Sequence, residues 1–134
     1  MSENDATDRT AEYVFRVTFR VRPIPDDTTI EPDQFDTVLH REAQPPGQDG
    51  WLFFRDHLWR GELGDSDHFR TLTEEALGVR VTSVSFSALR TSEAYLDALR
   101  TEIESNLEEF RAETAREALS KYLGSSIRVV PGSE

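Results

Sequence analysis

Residues able to do chemistry are densest between Gly50 and Asp65, which reads GWLFFRDHLWRGELGD. This stretch holds both tryptophans, Trp51 and Trp59, with Phe53, Phe54, His57, Arg55 and Arg60. Asp56, Glu62 and Asp65 supply carboxylates among them. Aromatic rings give contact area, and guanidinium groups grip anions through paired hydrogen bonds. A ligand pocket built from Trp51, His57, Trp59 and Arg60 is one expectation, and a binding rim over Arg55, His57, Trp59 and Arg60 is a second. The plainer reading is a core strand whose arginines pair with Asp56 and Glu62, since charges beside a core are paired or solvated.

Other chemistry finds less support. Asp56, His57, Asp65, Asp67 and His68 are suitable donors for a divalent ion. Their spacing matches no metal motif, and Asp65 and Asp67 are accounted for as helix caps, so no metal site is expected. No phosphate-binding glycine loop and no nucleophile elbow is present. With no cysteine, and Ser66 beside His68 the nearest serine–histidine pair, a nucleophilic triad lacks material. No catalytic residue or cofactor is therefore expected, and the residues lean away from an enzyme without excluding one.

The elements that must position these residues follow from periodicity. Glu12 to Arg22 alternates strictly, with Tyr13, Phe15, Val17, Phe19 and Val21 on one face and Val14, Arg16, Thr18, Arg20 and Arg22 on the other. The aromatic face belongs to the core. The face with Arg16 and Arg20 is either an anion- or partner-binding surface or a set of cross-strand pairs. Phe35 to Glu42 reads as a second strand, and the Pro45-Pro46-Gly47 turn leads from it to the stretch above. That stretch splits by parity into two apolar faces, which predicts a central strand covered on both sides and buries Trp59.

Asp65 to Asp67 offer caps for a helix over His68 to Leu77, with Phe69, Leu72, Ala76 and Leu77 as its apolar face and Gly78 as its stop. Val79 to Leu89 predicts a strand with Ser83, Ser85 and Ser87 on one side and Val84 and Phe86 on the other. From Ser92 to Leu123 apolar residues step by three or four. One straight helix of that length would protrude from so small a domain, and capping residues at Ser105 and Asn106 predict a break there. Ile127 to Val130 reads as a last short strand. The order predicts an α+β fold: a mostly antiparallel sheet of about four to five strands with two or three helices on one face. Residues 1–11 read as a disordered acidic leader, 12–130 as a single domain and 131–134 as a tail.

Charge sets the solvent. The chain has 134 residues and a formal net charge of −11. Lys121 is the only lysine, so arginine makes up the other 14 of 15 basic residues. Carboxylates stay hydrated in molar salt, where the short screening length mutes their repulsion. Lysine stems add exposed hydrocarbon that such salt penalises. A salt-filled cytosol is the expected home. Nucleic acid is disfavoured as a partner, because phosphate contacts weaken as salt rises. No apolar run is long enough for a membrane span, and the acidic, polar MSENDATDRT offers no apolar core of the kind expected in a signal peptide.

Leu58-Trp59-Arg60, in the setting GWLFFRDHLWRGEL, carries a resemblance together with the first strand and LGSSIRV near the C-terminus. The chain resembles the LWR-salt proteins, a small haloarchaeal family. The resemblance implies an intracellular protein of high-salt cells, with no activity, cofactor or catalytic residue to carry over. The expected function is a non-enzymatic binding or regulatory module, a homodimer or one that docks a protein partner. The alternative is a small enzyme or metabolite binder at the Trp51, His57, Trp59 and Arg60 pocket.

Overall fold

The computed structural model describes residues 10–21 and 27–130. Residues 1–9, 22–26 and 131–134 lie outside the described residues, so of the expected leader only Thr10 and Ala11 are described, and Ala11 opens the first strand. Strand β1 spans Ala11–Arg20 and β2 spans Gln34–Glu42. A short helix α1, Phe53–His57, leads into a small hairpin of β3, Leu58–Trp59, and β4, Glu62–Leu63. Helix α2 covers Ser66–Leu77, and β5 covers Arg80–Thr91. Helix α3, Glu93–Glu104, the single turn α4, Leu107–Phe110, and α5, Ala115–Leu123, precede β6, Ile127–Val129.

The main sheet has four strands in the order β2-β1-β5-β6. The first two pairings are antiparallel and β5-β6 is parallel, so the α+β expectation holds. The parallel pair forms because α3 to α5 carry the chain back across the sheet before β6 begins. Tyr13, Phe15 and Val17 of β1 join Val81, Val84, Phe86 and Leu89 of β5 on one face. Against them pack Tyr95, Leu99 and Ile103 of α3, Ala118 and Leu123 of α5, and Phe110. Burial holds the Tyr13 hydroxyl well above its ordinary pKa and pushes Tyr95 up to about 12. The Tyr95 hydroxyl donates to the Gln44 carbonyl at 2.6 Å, which ties α3 to the turn before α1.

Residues 51 to 60 are not a central strand. Four consecutive apolar residues, Trp51 to Phe54, carry no period of their own, and packing decides their shape. They turn at Gly50, whose φ is +88°, and form α1. Phe53 and His57 share one side of it, against Phe69 at 6.0 and 5.3 Å between ring centres. Phe53 also meets Tyr13 at 4.6 Å. Phe54 faces the opposite group and stacks on Phe110 at 5.7 Å. The stretch therefore wedges between sheet and C-terminal helices. The domain is organised around it, as a helix rather than as a strand.

Helix α2 begins at Asp65, whose side chain accepts from the His68 N–H, and ends at Gly78 in the left-handed region, as its sequence signals predict. Its expected apolar face is corrected: Leu72 and Leu77 are 45% and 40% exposed, while Thr73 is buried. The side toward β5 is polar instead. Glu74 accepts from the Val81 N–H at 3.0 Å and pairs with Arg70 at 3.2 Å. The break near Ser105 occurs, and a second follows at Arg111, whose φ is +51°. Thr114 then caps α5, accepting from the Glu117 N–H.

Candidate functional site

The described helices all pack on one face of the sheet, and the opposite face is uncovered among the described residues. Alternation along β1 puts Arg16 and Arg20 on it, and cross-strand register adds Arg80 opposite Arg20 and Arg90 opposite Glu12. Arg128 of β6 continues the row beside Arg90. Glu12, Asp36 and Glu42 are the carboxylates among these strands. All five arginines are exposed. Such a row stands out in a chain of net charge −11.

Pairing accounts for only part of this face. Arg90 reaches Glu12 at 3.4 Å, and Arg20 reaches Asp33 at 3.8 Å and the Gln34 side chain at 3.3 Å. Asp36 is taken by the Thr18 hydroxyl at 2.8 Å. Arg128 donates to the Ser125 carbonyl at 2.9 Å. The side chains of Arg16 and Arg80 make no hydrogen bond or ion pair with any described residue. Two bulges in the β1-β5 pairing, at Val14/Phe15 and Thr18/Phe19, keep the alternation in step so that Arg16 lies opposite Ser85 and Thr18 opposite Ser83. Small serines leave the guanidinium groups standing clear of the surface.

The residues from Trp51 to Arg60 part company. Arg55 is a clamp: its Nε and Nη2 donate to Asp56 Oδ1 at 3.0 and 2.8 Å, and its Nη1 donates to Glu109 at 2.7 Å. The hydrogen bond to Asp56, more than any other contact, raises its pKa further. Its donors are occupied in joining α1 to α4. Trp51 and His57 line one open depression of about 460 Å3, with Arg41, Gln48, Asp49 and Asp56. Trp59 and Arg60 line a different one of about 700 Å3, with Arg116, Glu117, Ser120 and Lys121. Among the described residues these two depressions divide the four side chains between them.

Burial of Trp59 is corrected. It is 49% exposed, because the β3-β4 hairpin turns its side chain outward while Leu58 goes in. It meets Tyr122 edge-on at 5.7 Å, and the Arg60 guanidinium lies 5.7 Å from its ring. The hairpin is fixed from below. Arg60 N–H donates to the Lys121 carbonyl at 2.9 Å and Gly61 N–H to the Tyr122 carbonyl at 3.0 Å. These two donors satisfy carbonyls that the end of α5 leaves free. Arg60 and Gly61 both have positive φ, +54° and +82°, the pattern of a tight two-residue hairpin turn. A Cβ on Gly61 would stand 3.1 Å from the Leu123 carbonyl oxygen.

Three of the five residues weighed as metal donors have other duties. Asp56 holds Arg55, Asp65 caps α2, and His57 packs between Phe53 and Phe69. Among the described residues no three His, Asp or Glu side chains gather as a metal ion requires. No described helix is long and apolar enough to cross a membrane.

Sequence reasoning singled out Arg16 and Arg20 and missed Arg80, Arg90 and Arg128. The outward serines of β5 were the available signal, but only strand pairing shows which strand lies beside β1. The company of Arg116 and Lys121 at Trp59 had no signal, since they lie 57 and 62 positions further along the chain. Comparison with curated proteins gives no match, and comparison with solved structures gives none either. The family model described as LWR-salt protein matches residues 9–133, and the chain belongs to that family.

Proposed function

We propose that this chain is a non-enzymatic binding or regulatory module of a high-salt cytosol, and that it docks an acidic protein partner on its uncovered sheet face. The observation that carries the reading is the row Arg16, Arg20, Arg80, Arg90 and Arg128, in which the side chains of Arg16 and Arg80 are without a bonded partner among the described residues. Long-range attraction is screened in molar salt, so such a face acts at contact, through charge-assisted hydrogen bonds. Guanidinium suits this better than ammonium, being less strongly hydrated and able to bond a carboxylate twice.

The test is capture from an extract in molar KCl by the wild-type chain and by the double variant Arg16→Gln with Arg20→Gln. A partner held by the wild type and lost by the variant, with circular dichroism unchanged, is the expected result. Identical capture by both removes this face from consideration. A second reading places a small anionic ligand beside Trp59. It is favoured by the half-exposed indole with Arg60, Arg116 and Lys121 in one depression. Lys121 weakens it, because its Nζ already donates to the Phe110 and Arg111 carbonyls at 3.1 and 2.8 Å.

A further inference from the structure

Strand β2 is the outer strand of the sheet. It runs for nine residues, and each of them pairs with β1 without a bulge. Its other edge receives no backbone hydrogen bond from any described residue. Strand edges of this length are ordinarily guarded by lysine, proline, a bulge or a covering loop. β2 contains no lysine or proline, and its charged residues, Asp36, Arg41 and Glu42, leave its middle from Thr37 to Leu39 without a charge. Val38 is 50% exposed and Phe35 is 37% exposed.

The geometry points to a second copy of this chain as the occupant of that edge, with the two β2 strands antiparallel about a two-fold axis at Val38. Directly opposite residues in an antiparallel pair share a face, so a strand meeting its own copy can centre only on one residue at a time. Centring on Val38 sets Val38 against Val38 and Asp36 against His40 of the other copy. On the second face it sets Phe35 against Arg41, and Thr37 against Leu39. All nine residues are then paired. Centring on Leu39 instead sets Asp36 against Glu42, and like charges directly opposite destabilise a pair. Centring on Thr37 leaves Asp36 against Val38 and the Glu42 end unpaired. The sequence of β2 is thus self-complementary in one register. The product is a closed, isologous dimer with a continuous eight-stranded sheet, and its arginine faces lie side by side.

This inference rests on the edge of β2 and not on the arginine face. The full chain in molar KCl should scatter as a dimer of the 15.3 kDa protomer. Arg16→Gln with Arg20→Gln should leave that mass unchanged. Val38→Lys sets two ammonium groups against each other and should give a folded monomer. The absence of native cysteine makes a unique thiol readable. Opposed Cβ atoms at a two-fold lie within reach of a disulfide. Val38→Cys should therefore link two chains on mild oxidation, and Asp36→Cys should not. A monomeric wild type overturns the inference, as does a dimer that survives Val38→Lys. Asp36→Cys linking as fast as Val38→Cys overturns the register.

Discussion

Phe54 and Trp59 sit five positions apart in the most aromatic stretch of the chain, yet they do different work. Phe54 is 1% exposed and stacks on Phe110. Trp59 keeps half its surface in water and touches Tyr122 by an edge. Phe54→Ala opens a cavity in a packed core and should cost about 3–5 kcal/mol. Trp59→Ala loses one edge-on aromatic contact and some partial burial, and should cost about 1 kcal/mol. Denaturant melts of the two variants in molar KCl check this, and equal losses would show that Trp59 is buried. Sequence alone misplaced Trp59, because its neighbours Leu58 and Phe54 are core residues. Phe53 to His57 is a helix, so a strand parity carried through from Trp51 does not reach Trp59, and the short β3-β4 hairpin leaves its side chain outside.

At the scale of elements, the β3-β4 hairpin and the end of α5 hold each other. Gly61→Ala forces a left-handed backbone on a residue with a Cβ, which costs on the order of 1–2 kcal/mol. It also drives that Cβ toward the Leu123 carbonyl. A loss of stability larger than that of Gly78→Ala is expected in thermal melts, since Gly78 shares the positive φ but has open space around it. Equal losses would mean that the close approach is relieved without cost. Elements with a strong period were legible from the chain. Tyr13 to Phe19 alternates without a fault, and Asp65 and Gly78 bracket α2 with opposite end signals. The stretch Trp51 to Phe54 was not legible, because an unbroken apolar run fits a strand or a helix equally and only its neighbours choose. The second break at Arg111 was missed although Thr114 and Glu117 spell a capping box. The helical spacing of Phe110, Thr114 and Ala118 ran straight across it.

At the scale of the molecule, charge is sorted. Five of the twelve described arginines, Arg16, Arg20, Arg80, Arg90 and Arg128, share the sheet face that no described helix covers, while Asp and Glu outnumber the arginines on the helices and turns of the other side. Of the candidate site, Arg16 and Arg20 could be read from β1 alone. Their neighbours needed the strand order, and the two depressions needed the hairpin. We propose that this charge distribution suits molar salt. Self-repulsion at −11 on 134 residues opposes compaction wherever the screening length is long, about 10 Å at 0.1 M against about 3 Å at 1 M. Stability of a domain this size is typically only ~5–15 kcal/mol, so that repulsion is a large share of it. Thermal melts of the wild-type chain in dilute buffer and in molar KCl test the claim most directly. A melting temperature that climbs steeply with KCl is expected, and an unchanged melt between the two solutions would contradict adaptation to salt.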